Sequence, residues 1–165
     1  MVPLKIKLPE NFLEQEVRCG YTITKQIKEV WAIELDLLSL LQDICDKNEI
    51  KYFADSGTML GAIRNKGFIP WDDDIDISMM REDFDKFCKI AKKQLKYPYF
   101  FQDEDTEPGS LRGHAKLMRL DTTAILKSEL DRKLNFSQGI FIDVFCFDNL
   151  PDDLHERENY LNFLE

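Results

Sequence analysis

Asp74-Ile75-Asp76-Ile77-Ser78-Met79 alternates polar and apolar side chains with a period of two. Such alternation marks a strand whose two faces meet different surroundings, placing Asp74, Asp76 and Ser78 on one face and Ile75, Ile77 and Met79 on the other. Carboxylates two positions apart on a strand leave the backbone in the same direction, with Cα atoms about 7 Å apart. The preceding Asp72-Asp73-Asp74 run, taken alone, also reads as a solvated turn. A buried reverse face changes that reading, because it would hold Asp74 and Asp76 rigidly enough to converge on one ion.

Downstream, Gly139-Ile140-Phe141-Ile142-Asp143-Val144-Phe145-Cys146-Phe147 is apolar but for Asp143, the composition of a strand covered on both faces. A carboxylate there needs a compensating charge. Two sources are open: a cation shared with Asp74 and Asp76, or an ion pair with Lys116 or Arg119. A third oxygen ligand from a neighbouring strand, about 4.8 Å away, would suit magnesium or manganese, which keep waters or substrate phosphates in their shells.

Upstream, a short strand over residues 50–54 leads into Asp55-Ser56-Gly57-Thr58 and then a short helix through Met59, Leu60, Ala62 and Ile63. Backbone N–H groups at a helix start attract phosphate, and Gly57 permits close approach, although many such turns only cap helices. An amphipathic helix is predicted from about 24 to 48 and another from 81 to 95, the latter burying Phe84, Phe87, Cys88 and Ala91. Further strands fall near 99–102 and 115–120, and a last helix begins at Leu154. Leu4, Ile6 and Leu8 alternate as in a strand or extended arm, whereas residues 11–20 show no period. This order predicts an α+β fold, a mixed sheet packed against helices.

The 165 residues, 44% hydrophobic, suffice for one domain with a real core. A net charge of −9 without a basic stripe argues against nucleic acid as a partner. No stretch has the length and apolarity of a membrane span or of a signal-peptide core, which predicts a cytoplasmic chain with no integral membrane segment. Cys19, Cys45, Cys88 and Cys146 lie far apart and are expected to be buried, reduced thiols.

The stretch Asp55-Ser56-Gly57-Thr58-Met59-Leu60-Gly61-Ala62-Ile63-Arg64-Asn65-Lys66-Gly67-Phe68-Ile69-Pro70-Trp71-Asp72-Asp73-Asp74-Ile75-Asp76-Ile77 resembles the signature of the LicD family. Arg81-Glu82-Asp83-Phe84 and the 139–145 strand, followed by Asp148 and Pro151, also look like that family, so the resemblance covers roughly residues 30 to 155. It implies a nucleotidyltransferase-like fold, with Asp74 and Asp76 as the metal-binding D-x-D acids and Asp143 as the third. It further implies Ser56, Gly57 and Thr58 in a phosphate-facing turn and Arg64, Lys66 and Lys116 as substrate-binding cations. Asn65 stands where many relatives have histidine, and the 116–119 stretch matches the family's basic strand loosely. Relatives run longer, so residues 1–165 are expected to form a single LicD-type domain lacking its C-terminal part.

The family includes cholinephosphotransferases of bacterial surface glycans and fukutin-like proteins. The expected reaction is therefore metal-dependent transfer of a phospho-alcohol such as phosphocholine from a CDP-linked donor to a glycan such as lipopolysaccharide or teichoic acid. Such an enzyme would work in the cytoplasm or at the inner face of the membrane. Two rival readings remain: a non-catalytic divalent-cation or glycan-binding module, and a D-x-D glycosyltransferase, although only about 70 residues precede the acidic strand.

Overall fold

The structure, a computed structural model, describes residues 1–110, 113–125, 127–132 and 134–164. Strands β1 (Glu16–Arg18) and β2 (Tyr21–Ile23) form an antiparallel hairpin. Its two-residue turn has positive φ at both Cys19 (52°) and Gly20 (74°), the twist that a tight hairpin requires. This hairpin occupies the stretch in which no period was visible, because three-residue strands are too short to show one. The 1–8 arm pairs in no sheet and bends at Lys5 and Ile6, whose N–H groups donate to Asp36 Oδ1 at 2.6 and 3.1 Å.

Helix α1 (Lys25–Asn48) starts where Thr24 Oγ1 accepts from the Ile27 N–H and ends at Glu49, which is left-handed at φ 53°. The predicted 50–54 strand is shorter than expected, with only β3 (Phe53–Ala54) paired. Asp55 caps α2 (Ser56–Arg64), so Ser56, Gly57 and Thr58 form its first turn. Strand β4 (Asp76–Met80) begins two residues later than the alternation suggested. Asp74 therefore precedes the strand, because strand pairing around β4 starts only at Asp76. Helix α3 (Arg81–Gln94), strands β5 (Tyr99–Gln102), β6 (Ala115–Arg119) and β7 (Ile140–Phe147), and helix α4 (Leu154–Leu164) complete the fold close to their expected bounds.

The main sheet runs β3-β4-β7-β6-β5, with β4 and β7 parallel and every other neighbouring pair antiparallel. The class is α+β. Registered neighbours share a face. On one face Ile77, Val144 and Ala115 align across three strands, as do Ile142, Leu117 and Phe101, and all six are buried in the core with Leu37, Leu41 and Phe87 from the helices. On the other face Asp76, Asp143, Lys116 and Gln102 form one row across four strands. Strand β7 is thus covered fully on one face only, with Phe141, Asp143 and Phe145 half-buried.

Of the thiols, Cys45 and Cys88 are buried as expected, whereas Cys146 is half-buried and Cys19 is exposed because it sits in the hairpin turn. All four are free. No helix among the described residues is long and apolar enough to cross a membrane.

Candidate active site

Two backbone contacts lock the acidic strand to the helix before it. The Asp76 N–H donates to Thr58 Oγ1 at 2.8 Å, and the Asp55 N–H donates to the Asp76 carbonyl at 3.0 Å. Thr58 thus positions Asp76, leaving its own hydroxyl proton to be donated elsewhere. On the other side the Asp143 N–H donates to the Ile75 carbonyl at 2.9 Å, and Asp143 stands in register with Asp76 on the parallel strand. Both carboxylates lie on the polar face of the sheet, with Asp74 just before β4.

Among the described residues, acids outnumber cations around Asp74. Burial first, then the charges of Asp76, Asp72, Asp143 and Asp73, push the Asp74 carboxyl up from its ordinary value to about 7. Burial and the Asp143 charge raise Asp76 as well. Glu34, on α1, is only 1% exposed, and burial followed by the charges of Asp74 and Asp73 pushes it up to about 9. Glu34 Oε2 and Asp143 Oδ1 are both buried without a hydrogen bond of proper geometry among the described residues. Asp143 Oδ1 nevertheless has His114 Nε2 at 3.1 Å and Lys116 Nζ at 3.8 Å, and the His114 ring lies against Phe145 with centroids 4.7 Å apart.

These acids fit a hard divalent cation by donor chemistry: oxygen ligands, mutual repulsion and an unsatisfied carboxylate oxygen. No group of three acidic, imidazole or thiol side chains among the described residues is arranged to hold an ion. Magnesium often takes one or two protein carboxylates and completes its shell with water and phosphate, so a pair from Asp74, Asp76 and Asp143 meets that need.

Two cavities open beside the acids, and Asp74 lines both. The first, about 430 Å³, is walled by Trp31, Phe68 and Ile69 and includes Gly57, Thr58 and Lys66. Trp31 stacks on Phe68 with centroids 4.5 Å apart, and its Nε1–H donates to the Asp72 carbonyl at 2.8 Å. The second, about 530 Å³, is lined by Glu34, Asp73, Asp143, His114, Lys116 and Phe141 among others. Lys116 Nζ sits over the Phe141 ring, 3.3 Å from its centroid.

Of the expected substrate-binding residues, Gly57, Thr58 and Lys66 meet at the first cavity and Lys116 at the second. Arg64 and Ser56 line neither. Arg64 is exposed and donates to Asn65 Oδ1, and Ser56 is exposed with its N–H turned to Asp55. The close approach that Gly57 permits is that of Asp72, whose Oδ2 lies 2.5 Å from where a Cβ would stand. Arg119 pairs with Asp36 and Asp121 and leaves Asp143 to Lys116 and His114. Glu34 and His114 were not foreseen. Glu34 had a signal, since it falls on the apolar stripe of α1 beside Val30, Leu37 and Leu41, where a charge is out of place.

The family model for the LicD/FKTN/FKRP nucleotidyltransferase domain matches residues 49–159, which contain the capped turn, both acidic strands and all three candidate metal ligands. The chain belongs to the LicD family. It is 30% identical over 128 residues to the lipopolysaccharide cholinephosphotransferase LicD of Haemophilus influenzae, an alignment covering 77% of this chain and 46% of that protein. An uncharacterized protein of Rickettsia typhi is 42% identical over 93 residues, covering 52% of this chain and 30% of its own length. Another from Rickettsia prowazekii is 52% identical over 52 residues, covering 30% and 20%. The chain thus spans less than half the length of these relatives. Glu34 lies outside the stretch that the family model matches.

Proposed function

We propose that this LicD-family domain transfers a phospho-alcohol group, phosphocholine or a close analogue, from a CDP-linked donor to a hydroxyl of a cell-surface glycan such as lipopolysaccharide or teichoic acid. The observation that carries this reading is the registered pair Asp76 and Asp143, with Asp74 beside them at the junction of two cavities. A transferase needs two ligands to meet at one charged centre. The family and the name of the Haemophilus relative support the chemistry.

Asp74, Asp76 and Asp143 would hold Mg²⁺ or Mn²⁺, which supplies Lewis-acid stabilisation of the diphosphate charge. Thr58 fixes the backbone of Asp76, and Lys66 and the first turn of α2 face the anionic donor. The acceptor oxygen bonds to the phosphorus bearing the alcohol, the bond from that phosphorus to the cytidine monophosphate oxygen breaks, the nucleotide leaves with the electron pair, and the acceptor's hydroxyl proton passes to the departing phosphate or to solvent. The acids act through charge more than through proton transfer. Work at the inner face of the membrane follows from a membrane-linked acceptor.

The test is to incubate the chain with Mg²⁺ or Mn²⁺ and a panel of CDP-linked alcohols and to measure release of cytidine monophosphate. Metal-dependent release that stops in Asp76→Asn supports the proposal. Tight metal binding without cleavage of any donor would favour a non-catalytic cation- or glycan-binding module, the reading to which the lack of a ready three-ligand group among the described residues lends weight.

A further inference from the structure

The two cavities that share Asp74 differ in charge. The first sets Arg18, Lys28 and Lys66 against Glu16, Asp72 and Asp74 and includes the first turn of α2. The second gathers Glu34, Asp73, Asp74 and Asp143 against Lys116 and His114. Apart from the acids given to the metal, a nucleoside diphosphate meets three cations and a helix first turn at the first, and Glu34 and Asp73 beside Lys116 and His114 at the second. Within the second, Glu34 is 1% exposed, lines the cavity, and has an Oε2 with no hydrogen-bond partner among the described residues. A buried oxygen in that state lacks the donor that native interiors almost always supply.

We propose that the second cavity is the acceptor subsite and that Glu34 anchors a polyhydroxylated ligand there by accepting a hydrogen bond from one of its hydroxyls. Carboxylates, a cation and an aromatic wall suit a sugar ring, whose hydroxyls donate and accept while its C–H face lies on apolar surface. An organic ammonium fits less well, because Lys116 already occupies the face of Phe141. The assignment rests on the two-substrate reading above and adds to it where each substrate sits. It also gives α1, which precedes the family-matched stretch, a part in choosing the acceptor.

The test titrates the full chain, with magnesium present, with two probes: cytidine 5′-diphosphate, and a panel of methyl hexosides. Wild type is compared with Glu34→Gln and Lys66→Ala. At least one hexoside should bind saturably, and Glu34→Gln should weaken it about ten-fold while nucleotide affinity moves less than about two-fold. Lys66→Ala should do the reverse. Amide shift mapping on the wild-type chain should place the hexoside at Glu34, Asp73 and Ile140, which keeps the test sound if a variant misfolds. Absence of saturable hexoside binding, equal weakening of both probes by Glu34→Gln, or hexoside shifts confined to Trp31 and Phe68 would overturn the proposal. Glu34-dependent hexoside binding without any nucleotide binding would leave the subsite standing and sink the donor reading instead.

Discussion

Asp74→Asn separates the electrostatics of the site from its chemistry. In the wild type, burial and four neighbouring acids lift the Asp74 carboxyl from 3.8 to about 7. A carboxyl whose folded pKa exceeds its unfolded value binds its proton more tightly in the native state. Its contribution is therefore fully present below the unfolded pKa, near pH 4, and is lost as pH rises through about 7. Three pKa units correspond to about 4 kcal/mol, and solvent screening of this half-buried group reduces that to about 1–2 kcal/mol. Asparagine cannot ionise, so the variant should match the wild type near pH 4 and exceed it by about 1–2 kcal/mol at pH 8 with a chelator present. Urea unfolding followed by Trp31 and Trp71 fluorescence across that range measures the difference directly. Adding millimolar magnesium should close or reverse the gap, because the wild type, with all three acids, gains more from binding the ion than the variant with two. Parallel stability curves at all pH values would refute the charge-repulsion account, and wild-type turnover in the variant at saturating metal would refute Asp74 as a ligand.

Three further outcomes are expected. Asp36 accepts from Tyr99 Oη at 2.6 Å, from Arg119 at 3.2 Å and from two N–H groups of the N-terminal arm, so Asp36→Ala should destabilise the fold by about 2–3 kcal/mol by leaving the Tyr99 hydroxyl and the arm without their acceptor while Arg119 keeps Asp121; a loss below about 1 kcal/mol in urea would show the network to be dispensable. Gly57→Ala should push the Asp72 carboxylate aside and weaken cytidine diphosphate binding about ten-fold while the melting temperature stays within a few degrees; unchanged affinity in a titration would remove this turn from the nucleotide site. Magnesium or manganese with cytidine diphosphate should raise the melting temperature, the gain reaching about 2.7 kcal/mol at a hundredfold excess over Kd, and a flat thermal scan would argue against a cation site.

The acids of the sheet were legible because strands advertise themselves. Ile75, Ile77 and Met79 alternate with Asp76 and Ser78, and the same period of two that buries the first set aims the second at the opposite face. Asp143 was legible for a related reason, as a single charge in an apolar run. Its partner was not, because β7 lies between β4 and β6 and so has Asp76 on one side and Lys116 on the other. Of the two compensations weighed from the sequence the ion pair is present, with Lys116 3.8 Å away, while Asp76, a like charge, is the registered neighbour on the other side. Periodicity gives faces; it does not give strand order.

Strand order is also what makes His114 a site residue. It precedes β6 by one position, and the antiparallel register that pairs Ala115 with Val144 carries its ring to Phe145 and its Nε2 to Asp143. Nothing local to Gly113-His114-Ala115 foretells that meeting, which joins residues 29 apart in the chain. Glu34 and Asp36 present the opposite case. Both stand in the middle of an amphipathic helix and both are almost fully buried, yet Asp36 is surrounded by donors while Glu34 Oε2 has none among the described residues. A buried charge on a helix stripe is visible in sequence; whether the fold satisfies it is not, and that difference separates a residue that ties the N-terminal arm to the core from one left facing a cavity. The first is tested by stability and the second by ligand, so Asp36→Ala and Glu34→Gln should fall on different axes, the former lowering the unfolding midpoint and the latter lowering hexoside affinity.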